Sequence, residues 1–525
     1  MIAKTYDKKD YSGGLNSTAS LREIAPNEAT VLQNWDITYQ GQLRQRAGLI
    51  KLGNTGLKPI TGLGAYIRDS GADVLRSQGS NIEFLAGNTW QALLTTYAGT
   101  NPVWFENVQA LNRIYITNPN NGLMYWDRAS TTPGSALTVV GSSPPHGQKA
   151  VWFKNYMFHL NNVMVGSTLY PDTLFWSNIG DPDTYDTTNN KADIPGDGRL
   201  INAIPMGTSL VLFKERSIQY LTGYGNTDWQ ITGSLSSYDS LSEEVGSVSP
   251  RGATSVGDEV WFIDNQARIR RITRTDQDAF RHDVISKKIQ ASLDGINKAQ
   301  LASAVAWSWN NKVYFAVPNG TDIVTSIVFV FDILASRRIS QNPYFPEEAW
   351  TTYTGWKVSS VIAYPSNLTM DLYLGDAVVG NVYKHGGTDD NGVAIDSIFE
   401  DINSDFGAPD QYKNYLNGRI TGEANTGNSN VYMDTSIDGL PYVNIGSLNL
   451  LTGGSRVGPT GDARCGPTGS AVCGGSVLNE LRYVYNANSQ YPLGKRVRHR
   501  IRHNDLGQQP AVNSFTSNFR ARALR

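Results

Sequence analysis

With 51 Gly, 26 Tyr and 12 Trp, only 18% charged residues and a formal net charge of −2, the 525-residue chain has the composition of a folded β-protein. Wholesale disorder is excluded by that aromatic and glycine content, and a generally basic nucleic-acid binder by the charge. The length exceeds what one hydrophobic core usually serves and points to roughly two to four domains, fewer if one of them is a large propeller or barrel.

The start, MIAKTYDKKDYSGG, lacks the apolar segment of a signal peptide, and apolar runs such as SIVFVFDIL at 326–334 are too short to span a bilayer. The expectation is a chain made and assembled in the cytoplasm, with no membrane-spanning segment. Residues 1–50 read as an extended N-terminal arm, with Gly13-Gly14, Pro26 and at most one helical turn near NEATVLQN.

From 51 to 395 one pattern recurs: an apolar or aromatic strand, a polar turn carrying Gly or Asn, and a second strand ending in an aromatic. It occurs at 72–90, 112–127, 155–177, 208–223, 258–272, 311–332 and 370–386. Each stretch predicts a hairpin with alternating buried positions. Six or seven such units, spaced irregularly at roughly 40 to 60 residues, suggest blades of a large irregular β-propeller. A large sandwich or an irregular β-array is the alternative. One helix is expected at 283–301, where Val284, Ile285, Ile289, Leu293 and Ile296 recur at helical spacing and would pack on one side of the propeller.

Residues 396–525 change character, to longer alternating strands and a Gly-rich loop at 452–475 that repeats Gly-Pro-Thr-Gly without a collagen period. This predicts a C-terminal β-sandwich-like domain with a long hairpin tip. The loop holds Cys465 and Cys473, two thiols or one local disulfide, with no histidine nearby to complete a zinc site.

Signatures of chemistry are sparse. The six histidines show no metalloprotease spacing, and there is neither a phosphate-binding Gly-Lys-Ser/Thr loop nor a G-x-S-x-G elbow. His499 and His503 would share a strand face, too far apart for an easy shared metal. Glu215, Glu243, Glu244, Asp258 and Asp264 are carboxylates of the kind a glycosidase needs in pairs, but no sialidase-type Asp box frames them. SIDGLPY at 436–442 reads as a turn at Asp438-Gly439. No catalytic residue, cofactor or metal is expected.

Several stretches resemble a known group. GGLN at 13–16 followed by NEATVLQNWDITYQGQLRQRAG at 27–48 looks like the start of β-propeller tail proteins of short-tailed bacteriophages, the tail nozzle (tail tubular protein B) and the related packaged-DNA stabilisation proteins. LFWSNIGDPDTYD (174–186), PMGTSLVLFKERSIQYLTG (205–223) and VGSVSPRGATSVGDEVWFIDNQARIRRI (245–272) are similar in kind and order to that group's central blades, and DFGAPDQYKNYLNGRI (405–420) to the start of its post-propeller domain. The resemblance covers about a third of the chain. It implies a non-enzymatic virion structural protein at the distal end of a short tail, assembled as a homohexameric ring. Implied partners are the tail adaptor or tube proteins and tail fibres, with non-specific passage of double-stranded DNA during genome ejection. A receptor-binding or carbohydrate-binding propeller of the tail is the alternative.

The charge is concentrated at the end of the chain: residues 495–525 carry eight Lys or Arg against Asp505, which leaves −9 on the other 494 residues. Within GKRVRHRIRH, Arg496, Arg498, Arg500 and Arg502 stand at every second position. On a strand they share one face, opposite Val497, His499, Ile501 and His503. That strip has three readings: a face for DNA phosphate, a docking face for acidic surface of a neighbouring subunit or adaptor, or a solvated outer face.

Overall fold

The computed structural model describes residues 4–20, 23–97, 101–141, 144–233, 244–274, 280–340, 347–366, 369–424, 429–450, 479–485 and 493–522. Seven four-stranded antiparallel units follow one another, their first strands starting at Ile60, Trp104, Lys149, Leu200, Ala253, Val305 and Val358. Each first strand lies beside that of the next unit, and the seventh returns to lie beside the first. The ring is a seven-bladed β-propeller, so the all-β propeller expectation is borne out.

Local chemistry explains the blades. The seven hairpins read from the sequence are the second and third strands of the seven blades. Lys154-Asn155 and Asn310-Asn311 both hold two successive residues at positive φ, as two-residue hairpins require to match strand twist. Second strands such as Ser209–Lys214 and Tyr156–Leu160 are buried throughout because blades cover both of their faces. Apolar side chains between blades close the ring, for example Tyr66, Phe84 and Trp126 between the first two blades and Phe213, Phe262 and Ile272 between the fourth and fifth.

The last blade is completed from the other end of the chain: Leu49–Gly56 pairs with Gly380–His385 as its outer strand. The segment expected as an arm is otherwise woven into the C-terminal domain. Lys4–Lys8 pairs with Pro510–Ala521, and Trp35–Ile37 and Leu43–Gln45 extend the same sheet, which also holds Lys413–Ala424 and Asn479–Val484. The facing sheet runs Val31–Gln33, Ser397–Glu400, Val497–His503, Ser429–Ile437, Val443–Leu450. It joins the sixth blade through Thr352 beside Gln33. The core between the two sheets, with Trp35, Phe399, Tyr415, Met433, Ile501 and Phe515, is continuous with that between blades five and six.

The expected helix at 283–301 is instead broken into turn-sized pieces, Lys287–Ile289, Gln290–Asp294 and Lys298–Ser303. Asn297 N–H donates to Pro318 O and Gly320 N–H to Gly295 O, which draws the chain onto the neighbouring hairpin and interrupts the helical ladder at Gly295. Ile285, Ile289, Leu293 and Ile296 still face the core. A second helix, Ile333–Ile339, starts where Asp332 caps the Ala335 N–H at 2.8 Å and ends in Arg337 and Arg338, on the favourable side of its dipole.

Candidate functional site

The basic strip lies on the strand Val497–His503, at the centre of the second sandwich sheet. Val497, His499, Ile501 and His503 point into the core, and Arg498, Arg500 and Arg502 emerge half-buried on the other face. Arg496 precedes the strand, with its backbone N–H on Asp438 Oδ1 at 2.8 Å. The three strand arginines meet carboxylates of the flanking strands: Arg498 sits 2.7 Å from Glu400, and Arg500 and Arg502 share Asp434 at 2.9 and 2.5 Å. The Arg500 guanidinium also lies 4.1 Å from the centre of the Tyr442 ring. Asp434 is 1% exposed. Burial raises its pKa, but hydrogen bonds from Arg502, Asn444 and Arg500 outweigh that and hold it below the ordinary carboxylate value. Most of the strip's charge is therefore met within the chain, on one cross-strand network.

The histidines behind the strip have separate partners, His499 with the Tyr485 hydroxyl at 2.5 Å and His503 with Asn430 O at 2.8 Å. Burial lowers the His499 pKa to about 4. Among the described residues no three His, Cys, Asp or Glu side chains gather as metal ligands. Cys465, Cys473, Glu243 and the loop 452–475 lie outside the described residues. Asp264 accepts from Arg270 at 2.6 Å and from the Gln266 and Arg268 N–H groups, Glu215 pairs with Arg199, and Asp258 is an exposed turn residue.

The family-like N-terminal stretch builds the joint between the modules. Arg46, with 1% of its side chain exposed, donates to Asn34 Oδ1, Ala47 O, Thr354 O and both oxygens of Asp390, and its guanidinium lies 4.7 Å from the Trp356 ring centre. All five donors of the fork are used. Lys8 reaches Asp401 at 2.6 Å and Glu28 O at 2.7 Å.

A second polar cluster, unmarked in the sequence reading, occupies the propeller axis. Arg251, just before the fifth blade's first strand, donates across the axis to Thr61 O and Val103 O at 2.9 Å each and to Ser359 O at 3.3 Å. Lys149, 2% exposed, bonds Asn202 Oδ1 and lies 4.2 Å from the Trp104 ring centre. Glu106 accepts from the Trp152 N–H at 2.9 Å and Trp104 Nε1 at 3.3 Å. Desolvation raises Glu106 to about 7 against these bonds, and lowers Lys149 to about 7 and Arg251 to about 10. The signal available in the sequence was a single charge in each apolar inner strand, VWFENV and QKAVWF.

These features define the class: an all-β chain with a seven-bladed propeller fused to a β-sandwich. No family model matches the chain, and no curated protein matches it. Among solved structures it is similar to the WD40 β-propeller domain of Doa1, at 10% identity and a TM-score of 0.38 over 63% of this chain and 96% of that one. It is also similar to YCF48 bound to a D1 peptide, at 12% identity and TM-score 0.37 over 65% of this chain and 96% of that one. PorZ of the type-IX secretion system of Porphyromonas gingivalis shows 11% identity and TM-score 0.35 over 84% of this chain and 59% of that one. Likeness at this level concerns general layout and nothing finer. No helix among the described residues is long and apolar enough to cross a membrane.

Proposed function

We propose that this chain is a structural subunit of a short bacteriophage tail, the nozzle, which assembles as a homohexameric ring at the distal end and helps retain packaged DNA until ejection. The observation that carries the reading is the joint. The stretches that resemble the phage proteins, GGLN and NEATVLQNWD, hold propeller and sandwich together with one continuous core. A rigid two-module subunit suits a load-bearing ring, and its partners would be the adaptor or tube proteins above it and tail fibres beside it. The subunit is read as non-catalytic, located in the virion tail and assembled in the host cytoplasm.

Immunogold electron microscopy of phage particles, with an antibody raised against the purified chain, tests this directly. Label in a ring at the distal tail tip is expected. Label on lateral fibres, or on no particle, would overturn it.

One observation favours the second reading, a carbohydrate-binding propeller. A groove of about 580 Å³ between turns of blades five to seven is lined by Trp309 with Asn310, Asn311, Ser255 and Ser308, an indole beside amides and hydroxyls. Glycan-array binding abolished by Trp309→Ala would establish it.

A further inference from the structure

The axial cavity of the propeller encloses about 200 Å³ and is walled by the first strands of the blades. Its lining holds two cations, Lys149 and Arg251, and no carboxylate. Neither cation lies within ion-pair distance of an acid among the described residues, and Glu106, which is not on the wall, is close enough only to raise the Lys149 pKa in part against burial. Three backbone carbonyls satisfy donors of Arg251, but neutral carbonyls do not neutralise its charge. The guanidinium has five N–H groups and the ammonium three. Among the described residues Arg251 keeps Nε–H and one Nη1–H without an acceptor, and Lys149 keeps two of its N–H groups. Ser360, 3% exposed, is also on the wall, and its Oγ has no partner among the described residues. Uncompensated charge in a narrow, poorly solvated space is costly, and a counter-charge placed there recovers that cost.

We propose that this cavity is an anion site that takes one carboxylate, held by Arg251 and Lys149 over the Trp104 indole. With Glu106 ionised and Lys149 protonated the cluster carries one surplus positive charge, which a monoanion balances. The space admits a carboxylate with a few waters, each of about 30 Å³, and excludes an extended polyanion. The carboxylate can belong to a free small anion or to an acidic side chain that a partner's loop inserts along the axis. The site goes beyond the tail-nozzle reading and stands whether or not that reading holds.

Equilibrium dialysis of the full chain with radiolabelled acetate, at ionic strength held constant with sodium chloride, tests the site. Saturable binding of one acetate per chain is expected, with acetamide failing to compete. Lys149→Met abolishes it. A blocked Gly-Asp-Gly peptide that competes better than acetate identifies an inserted loop, and one that competes worse identifies a free anion. Should Lys149→Met fail to fold, Lys149→Gln removes the charge while keeping a polar group beside Asn202. Non-saturable binding, competition by acetamide, or unchanged affinity in the folded Lys149 variant would overturn the proposal.

Discussion

Lys8 and Asp401 meet at 2.6 Å with 1% and 0% of their side chains exposed. The ammonium also sits 5.0 Å from the centre of the Phe399 ring, so this N-terminal residue is anchored in the sandwich core. Replacing it alone strands a carboxylate without its cation. Lys8→Met is expected to lower stability by about 3–5 kcal/mol, and Lys8→Met with Asp401→Leu by clearly less, because the second change removes the orphaned charge. Urea denaturation of the two variants reads the asymmetry. The buried imidazoles make a separate prediction. Burial lowers His499 to about 4 and His159 to about 3. The unfolded chain, with histidine near its ordinary value of about 6.5, then binds more protons than the folded one at mildly acid pH. Stability should fall as pH drops from about 6.5 toward those lowered values, at up to about 1.4 kcal/mol per pH unit for each such histidine. A His499→Gln variant should show a shallower loss of melting temperature between pH 7 and pH 5.

Strands and turns show where the fold was legible and where it was not. NYMFHLNNV and WNNKVYF carry their instructions locally: paired asparagines at positive φ flank the second strands of blades three and six, and aromatic alternation made the middle hairpins readable from the sequence. Pairing of Lys4–Lys8 with Pro510–Ala521 leaves no such mark. KTYDK is an edge strand, mostly open to solvent, so its composition is that of a polar leader. The basic strip was legible as a strand with one arginine face, but Glu400 and Asp434, which face it, come from strands distant in sequence. Gly14 shows how tightly the N-terminal stretch is held. It sits at φ +69°, and a Cβ there would come within 2.7 Å of the Trp350 backbone nitrogen and oxygen. Gly14→Val is expected to cost about 2–4 kcal/mol, from the backbone conformation and the clash together, and to lower the melting temperature accordingly.

Taken whole, the molecule has two modules by shape but a shared core. Leu32 and Trp35 from the first 50 residues, Trp350 from the sixth blade and Phe399 from the sandwich belong to the same buried cluster. Domains that share a core unfold together. Scanning calorimetry of the intact chain should therefore give a single transition among its described parts, and a fragment ending at residue 395 should fail to fold, since it would leave that cluster half uncovered. Two transitions, or a soluble and cooperative 1–395 fragment, would contradict the shared core.

The strand Leu49–Gly56 closes the last blade against Gly380–His385. During synthesis it leaves the ribosome long before its partner exists. At about 5–20 residues per second the wait is on the order of tens of seconds, and the edge-forming N-terminal strands spend it unpaired. Ring closure thus comes only after residues 380–385 have been made. A product truncated before residue 380 lacks the strand that Leu49–Gly56 pairs with and cannot close the propeller.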